Sequence, residues 1–263
     1  MVLIGDHYQL PAVVQQSNDD TNIKDEELKK LGFTNMSNSL FERLYLTCLK
    51  HNWYWAIGQL NAQGRMHKDI MRFPNKHFYK GELQCIDGID RLAKPIPSQD
   101  DGTESAFSKH RLVYIPCTTA DTDMNFKMNT DEARKIPLIV KQLLNREEDL
   151  AKQSIGIITP YRAQIANIRE HLLAAGIDIS EITIDTVERY QGGAKDIILI
   201  SFCLNHPIQM RNLSVLSSEG IDRKLNVALT RAREQIILLG NRELLELNPL
   251  YKDLIDSYQT IEM

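Results

Sequence analysis

Arg65 and Arg231 are the side chains of this sequence best suited to phosphate chemistry. Arg65 lies in Leu60-x-x-Gln63-Gly64-Arg65-Met66-His67 and Arg231 in Leu229-Thr230-Arg231-Ala232. A guanidinium presents a planar fork of donors to phosphoryl oxygens, where negative charge accumulates as a phosphoryl group is transferred. Three further segments could meet the same kind of ligand. Thr159-Pro160-Tyr161-Arg162-Ala163-Gln164 follows an apolar run and opens a helical pattern. Such a loop offers backbone N–H groups and a hydroxyl to a phosphate, and Tyr161 or Arg162 can stack on or grip a nucleic-acid strand. A simple strand-to-helix turn begun by Pro160 fits those residues equally well. Thr186 begins a stretch that closes on Gln191-Gly192-Gly193, where paired glycines allow close approach of backbone to a ligand or merely a tight bend. Gly5-Asp6-His7-Tyr8-Gln9-Leu10 falls just past a short apolar run read as a strand, the place where open α/β sheets put ligand-contacting groups. By itself that segment reads more simply as a strand-to-loop turn.

The elements that must carry these residues alternate regularly from about residue 59. Strands are expected over 112–115, 155–158, 182–184, 197–202 and 236–239, each a solid apolar run. Helical spacing separates them. Met66 to Phe73 reads as a helix stopped by Pro74, and Asn129-x-x-Glu132 caps a helix bearing Ile136, Ile139, Val140 and Leu143. A further helix after Pro160 ends by Gly176. The stripe Leu225, Ala228, Leu229 and Ala232 faces a core, which directs Arg231 elsewhere and leaves Arg223 and Arg233 as solvated helix charges. Residues 84–110 form a polar connection, an insertion or lid. Ahead of the alternation, Ser39-x-x-Glu42 caps a helix with Leu40, Phe41, Leu44 and Tyr45 on one side. Buried strands separated by helices imply an α/β fold, a parallel sheet covered on both faces.

Bulk properties narrow the class without naming a ligand. The 263 residues carry a formal charge of −4, so nucleic-acid binding would have to come from a local groove rather than a basic surface. Cys48, Cys85, Cys117 and Cys203 lie far apart with no C-x-x-C pair, which argues against a zinc ribbon or disulfide framework and suits a reducing compartment. No apolar run approaches the ~20 residues of a membrane span, and Asp6 interrupts any signal-peptide pattern. A cytoplasmic protein with no membrane partner is expected.

Taken in chain order, the segments around Gln9, Arg65, Thr186–Gly192 and Arg231 resemble motifs III, IV, V and VI of superfamily 1 helicases. With the Thr159 loop they make five matches in the right order across residues 5 to 233. Asn129-x-x-Glu132-Ala133 and Ser39-Leu40-Phe41-Glu42-Arg43-Leu44 also fit, and point to the 1B group that includes the nonsense-mediated-decay helicase and the nuclease-helicases of DNA replication. The resemblance implies a RecA-like domain of the P-loop NTPase type. It implies that Gln9 senses the γ-phosphate of ATP, that Arg65 reaches it from the second lobe, and that Arg231 is an arginine finger. It also implies that Asp6, Gln191 and Gly192 face the nucleotide, and that Thr159, Tyr161, Arg162 and Thr186 contact single-stranded DNA or RNA.

Two positions depart from the family pattern. Gly64 stands where an aromatic residue usually stacks on the adenine, and Ala194 where a glutamate usually holds the ribose. Both losses are on the nucleoside side, while the phosphate-facing residues remain. No G-x-x-x-x-G-K-[ST] phosphate loop occurs in the sequence. ATP and Mg²⁺ are therefore expected only in an intact two-lobe parent, with this chain inactive alone. The expected organisation is a stub of the first lobe over 1–58, the second RecA-like domain over 59–247, and a C-terminal helix over 248–263. The missing N-terminal lobe is one expected partner and a second copy, docked through residues 37–50, another. The competing reading is a non-catalytic RecA-like module that binds nucleic acid or a protein.

Overall fold

The computed structural model describes residues 2–11, 21–36, 38–93, 106–119, 127–145, 153–190, 193–217 and 219–263. The chain divides into two compact units, 1–61 and 62–263.

In the first unit the expected initial strand is absent: residues 2–6 have no strand partner, and Val2 and Ile4 are 87% and 89% exposed. Apolar residues alone do not make a strand; the ladder needs a neighbour to accept its hydrogen bonds. Among the described residues α1 (Glu26–Lys30) and α2 (Leu40–Lys50) follow. Ser39 Oγ accepts from the Glu42 amide at 3.1 Å, the cap read from the sequence. The apolar side of α2 stays largely open, with Leu40 and Leu44 exposed, while Glu42 is buried.

The second unit is built on a six-stranded, all-parallel sheet in the order β5-β4-β6-β7-β3-β8. Its strands are β3 (Leu112–Pro116), β4 (Ile155–Ile158), β5 (Thr183–Asp185), β6 (Lys195–Ser201), β7 (Ala232–Gly240) and β8 (Gln259–Thr260); the short β1 (Ala62–Gln63) and β2 (Gln84–Cys85) pair with each other. Side chains alternate across the sheet. Val113, Ile115, Ile157, Leu199, Ile237 and Leu239 cluster with Ile136, Val140 and Leu143 of α5 (Thr130–Leu144) and Ile168 and Leu172 of α6 (Arg162–Ala174). The intervening Tyr114, Ile198, Ile236 and Leu238 are buried too, beneath the opposite helical layer. That layer includes α3 (Lys68–His77) and α8 (Arg223–Leu229), both packed on β7. Two short helices, α4 (Ala106–Lys109) and α7 (Met210–Leu213), fall between α3 and α8 in chain order, and Phe107 of α4 joins the cluster with α5. Gly156 is required in β4 because a Cβ there would meet the Tyr190 hydroxyl at 2.5 Å.

Three local expectations change. Helix α3 does not stop at Pro74 but runs through it to His77, with Ile70, Phe73 and Pro74 all buried. Proline removes one helical donor, and burial of its ring and neighbours offsets that loss. The 248–263 segment is helical only over α10 (Pro249–Asp256), preceded by α9 (Arg242–Leu245); it then forms β8, which pairs with β3 at Val113↔Gln259. Tyr251 of α10 donates its buried hydroxyl to Asp222 at 2.9 Å, and burial raises the Asp222 carboxyl above its ordinary range. Of the 84–110 connection, 94–105 lie outside the described residues; the rest holds β2, a 3₁₀ turn at Asp90–Leu92 and α4.

Candidate nucleotide and nucleic-acid site

Three segments that are remote in sequence meet around Thr230. Helix α8 ends at Leu229, and Thr230-Arg231 forms the turn into β7, which Ala232 begins. Ala232 is thus a strand residue, not the last position of a helical stripe. This shift of register reverses the expectation for Arg231. Its side chain is 1% exposed, with Nε donating to the Val227 carbonyl at 3.1 Å, Nη1 to the Gly193 carbonyl at 3.2 Å and Nη2 to Thr230 Oγ1 at 3.4 Å. It fastens the α8–β7 turn to Gly193, just ahead of β6; Gln191 and Gly192 lie outside the described residues.

Arg65 reaches the same turn from the other side. Its Nη1 donates to the Thr230 carbonyl at 3.2 Å. Arg65 is only half-buried, and that bond leaves the remaining edge of the guanidinium with donors to offer a ligand. Arg223, read as solvated, is 7% exposed at the start of α8, whereas Arg233 is half-exposed and pairs with Asp196 at 3.3 Å.

A second cluster sits at the carboxyl ends of β4 and β5, which are neighbours paired through Ile158↔Asp185. The Thr159 amide donates to the Asp185 carbonyl at 3.2 Å and the Thr186 amide to Asp185 Oδ1 at 2.8 Å, so one aspartate joins both loops. Arg162 is exposed and Tyr161 half-exposed, its hydroxyl 3.4 Å from Asn212 Nδ2. Thr159 differs from expectation: it is 1% exposed, and its hydroxyl has no hydrogen-bond partner among the described residues. Glu188, beside Thr186, is held below the usual glutamate range. Burial pushes its carboxyl up, but hydrogen bonds from its own amide, Lys224 and Thr186 outweigh that.

Asp6 and Gln9 belong to the first unit, where they form one tight turn. Asp6 Oδ2 accepts from Gln9 Nε2 at 2.8 Å, and Asp6 Oδ1 from the Tyr8 amide at 3.0 Å.

The profile of a family described as AAA domain matches residues 36–243, most of the chain. The chain belongs to that family. It carries the C-terminal RecA-like domain of superfamily 1 helicases. It is 32% identical over its whole length to an uncharacterized ATP-dependent helicase of Methanocaldococcus jannaschii, covering 35% of that protein. It is 32% identical to helicase sen1 of Schizosaccharomyces pombe over 97% of this chain and 14% of that one. It is 30% identical to the regulator of nonsense transcripts 1 homolog of Drosophila melanogaster over 98% of this chain and 20% of that one. The chain thus spans about a third or less of the length of these relatives.

In this helicase domain, several residues support the motifs without belonging to the candidate set. Gln63 Oε1 accepts the amides of Arg65 and Met66 at 2.9 and 2.8 Å, while its Nε2 donates back to the Met66 carbonyl at 2.9 Å. Arg91 closes the other side, donating to the Gly64 and Arg65 carbonyls at 2.6 and 2.8 Å. Gln63 was visible in the motif; Arg91 was not, because nothing local ties a residue in a polar connection to a loop so far upstream. Glu132, noted only as part of a family pattern, is fully buried and accepts from Ser201 Oγ at 2.6 Å and the Cys203 amide at 3.0 Å. Burial raises its carboxyl to about 8, against those two hydrogen bonds. Gln164 extends the network by donating to Ser201 Oγ at 3.2 Å, which ties the Thr159 loop to the end of β6.

Among the described residues no helix is long and apolar enough to cross a membrane.

Proposed function

We propose that this chain is the second motor lobe of an ATP-dependent helicase that acts on single-stranded DNA or RNA. The observation that carries the reading is the meeting of Arg65, the Thr230-Arg231 turn and the Gly193 carbonyl, with Arg65 keeping donors for a ligand. A half-exposed guanidinium on a loop braced by Gln63 and Arg91 suits a γ-phosphate, because the brace fixes the loop before the ligand arrives. ATP with Mg²⁺, held mainly by a lobe that bears a phosphate loop, supplies the phosphoryl group that is released. Arg65 neutralises charge on it, and Gln191 with Gly192 lie along the nucleotide. Arg231 fits a finger role only if its bond to Gly193 is given up, so its resting task is to hold the turn. By the motif they carry in the first unit, Gln9 senses the γ-phosphate and Asp6 faces the nucleotide. Tyr161, Arg162 and Thr186 line the path of the strand, while Thr159, 1% exposed, supports their loop from within. The RecA-like body takes in 59–247, residues 1–58 belong to the first lobe, and residues 248–263 brace the sheet edge. A second copy can cover the open side of α2, within residues 37–50.

A non-catalytic nucleic-acid-binding or protein-interaction module is favoured by two observations. Arg231 is buried, and the space beside Gly64 is filled: a Cβ there would meet Ile86 Cδ1 at 2.7 Å. One experiment separates the two. The 263-residue chain should not turn over ATP, whereas a protein joining it to a phosphate-loop lobe should do so with stimulation by single-stranded nucleic acid. An equally inert two-lobe protein would establish the interaction module.

A further inference from the structure

Helix α3 carries cations at a fixed interval. Lys68, Arg72 and Lys76 stand four residues apart on one face, each step rising about 6 Å along the axis. Lys80 continues the series just past the helix, where the main chain turns through φ 54°. These four residues, with Met71, Asn75 and Gly81, line an open groove of about 480 Å³, within the range of ligand-binding clefts.

Carboxylates reach this groove at three places. Arg72 lies 3.7 Å from Asp69, which is also drawn to His67 at 3.3 Å and Arg111 at 3.9 Å. Lys76 lies 3.0 Å from Asp253, and Lys80 3.5 Å from Glu219. Lys68 has no ion-pair partner among the described residues. The side chains of Arg72, Lys76 and Lys80 are 82%, 66% and 63% exposed. Exposed pairs of this kind contribute about 0–1 kcal/mol and exchange readily for a better anion.

We propose that this groove is a second nucleic-acid site that binds the phosphodiester backbone of a single strand, apart from the loops at the ends of β4 and β5. Its cations form a line whose spacing is close to that of successive phosphates, rather than a cradle converging on one phosphate. Met71 gives the floor an apolar surface for the sugar or base edge. In a chain of net charge −4 such a line is a local exception, and it steers a polyanion to one face. The proposal shares only its ligand class with the helicase reading.

The test uses the whole 263-residue chain and a fluorescein-labelled single-stranded oligonucleotide, with anisotropy followed against salt. Lys68→Glu with Arg72→Glu removes two contacts at about 0.7 each, so the slope of log affinity against log salt should become shallower by about 1.4. Both residues are exposed, and an unchanged melting curve shows that the double variant folds. The neutral pair Lys68→Gln with Arg72→Gln should give a similar slope. An unchanged slope and affinity in both pairs overturns the proposal, whatever happens in the other arm. Arg162→Ala with Thr186→Ala reports on the β4 and β5 loops instead. A loss confined to that variant leaves the helicase reading standing and removes the groove; a loss confined to the Lys68 and Arg72 variants does the reverse for the loops. Displacement of the oligonucleotide by polyglutamate at equal charge also overturns the assignment, because it shows a site indifferent to phosphate geometry.

Discussion

The Arg65 guanidinium donates to the main-chain carbonyl of Thr230 at 3.2 Å, one residue before Arg231. The two arginines therefore meet at a single turn but in opposite states: Arg65 half-exposed with one such bond, Arg231 buried with its nitrogens on three acceptors. That contrast separates a ligand-facing role from a scaffolding one.

Substitution should expose the difference. In a two-lobe protein, Arg65→Ala should lower kcat by about 10³-fold, the low end for arginine fingers, with little change in melting temperature. Arg231→Ala should lower kcat too, but also destabilise the domain by about 2–4 kcal/mol, because it empties a buried volume and strands carbonyl acceptors. Urea denaturation of the 263-residue chain checks the second claim directly. Equal stability of the two variants would show that Arg231 is not structural.

Arg91 is expected to act through Arg65. Removing its fork frees the Gly64 and Arg65 carbonyls, and a loop misplaced by about 1 Å can cost up to about 10²-fold in rate. Arg91→Ala should reduce kcat with KM for ATP nearly unchanged. Arg91→Lys should restore only part, since an ammonium lacks the planar fork. Full activity in Arg91→Ala would remove the positioning role.

Glu132 should make stability depend on pH. Burial lifts its folded value to about 8 from an ordinary 4.5. The folded protein therefore holds this proton where the unfolded chain has lost it. The contribution is complete below about pH 4.5 and is lost as pH rises through about 8. Glu132→Gln cannot ionise, so its stability should fall less steeply over that window, the difference reaching at most about 1.4 kcal/mol per pH unit. Parallel pH profiles for the two proteins, read by urea denaturation, would contradict this.

Gly64 is held by its neighbours rather than by its backbone angles. A Cβ there meets Ile86 Cδ1 at 2.7 Å and Ile89 Cδ1 at 3.4 Å. Gly64→Ala should destabilise by about 1 kcal/mol through overpacking, and Ile86→Val in the same chain should recover much of it. A double-mutant cycle with no coupling would mean that Ile86 moves aside freely.

Sequence by itself determined the α/β alternation, five of the six strands of the main sheet, the Ser39 and Asn129 caps, and the order of the helicase motifs. Each of these rests on signals within a few residues: apolar runs, a hydroxyl or amide three residues before its partner, a fixed motif. Tertiary structure alone decided the fate of Arg231, because ending α8 at Leu229 rather than beyond Ala232 turns an outward helix position into a buried turn. It decided the burial of Arg223 and Thr159, the passage of α3 through Pro74, and the joining of β8 to the sheet, where packing overrides local preference. It also brought Arg91 to the Gly64 and Arg65 carbonyls and Glu132 to Ser201. Those contacts close between residues far apart in the chain, and no periodicity or motif can encode a partner that only the folded sheet supplies.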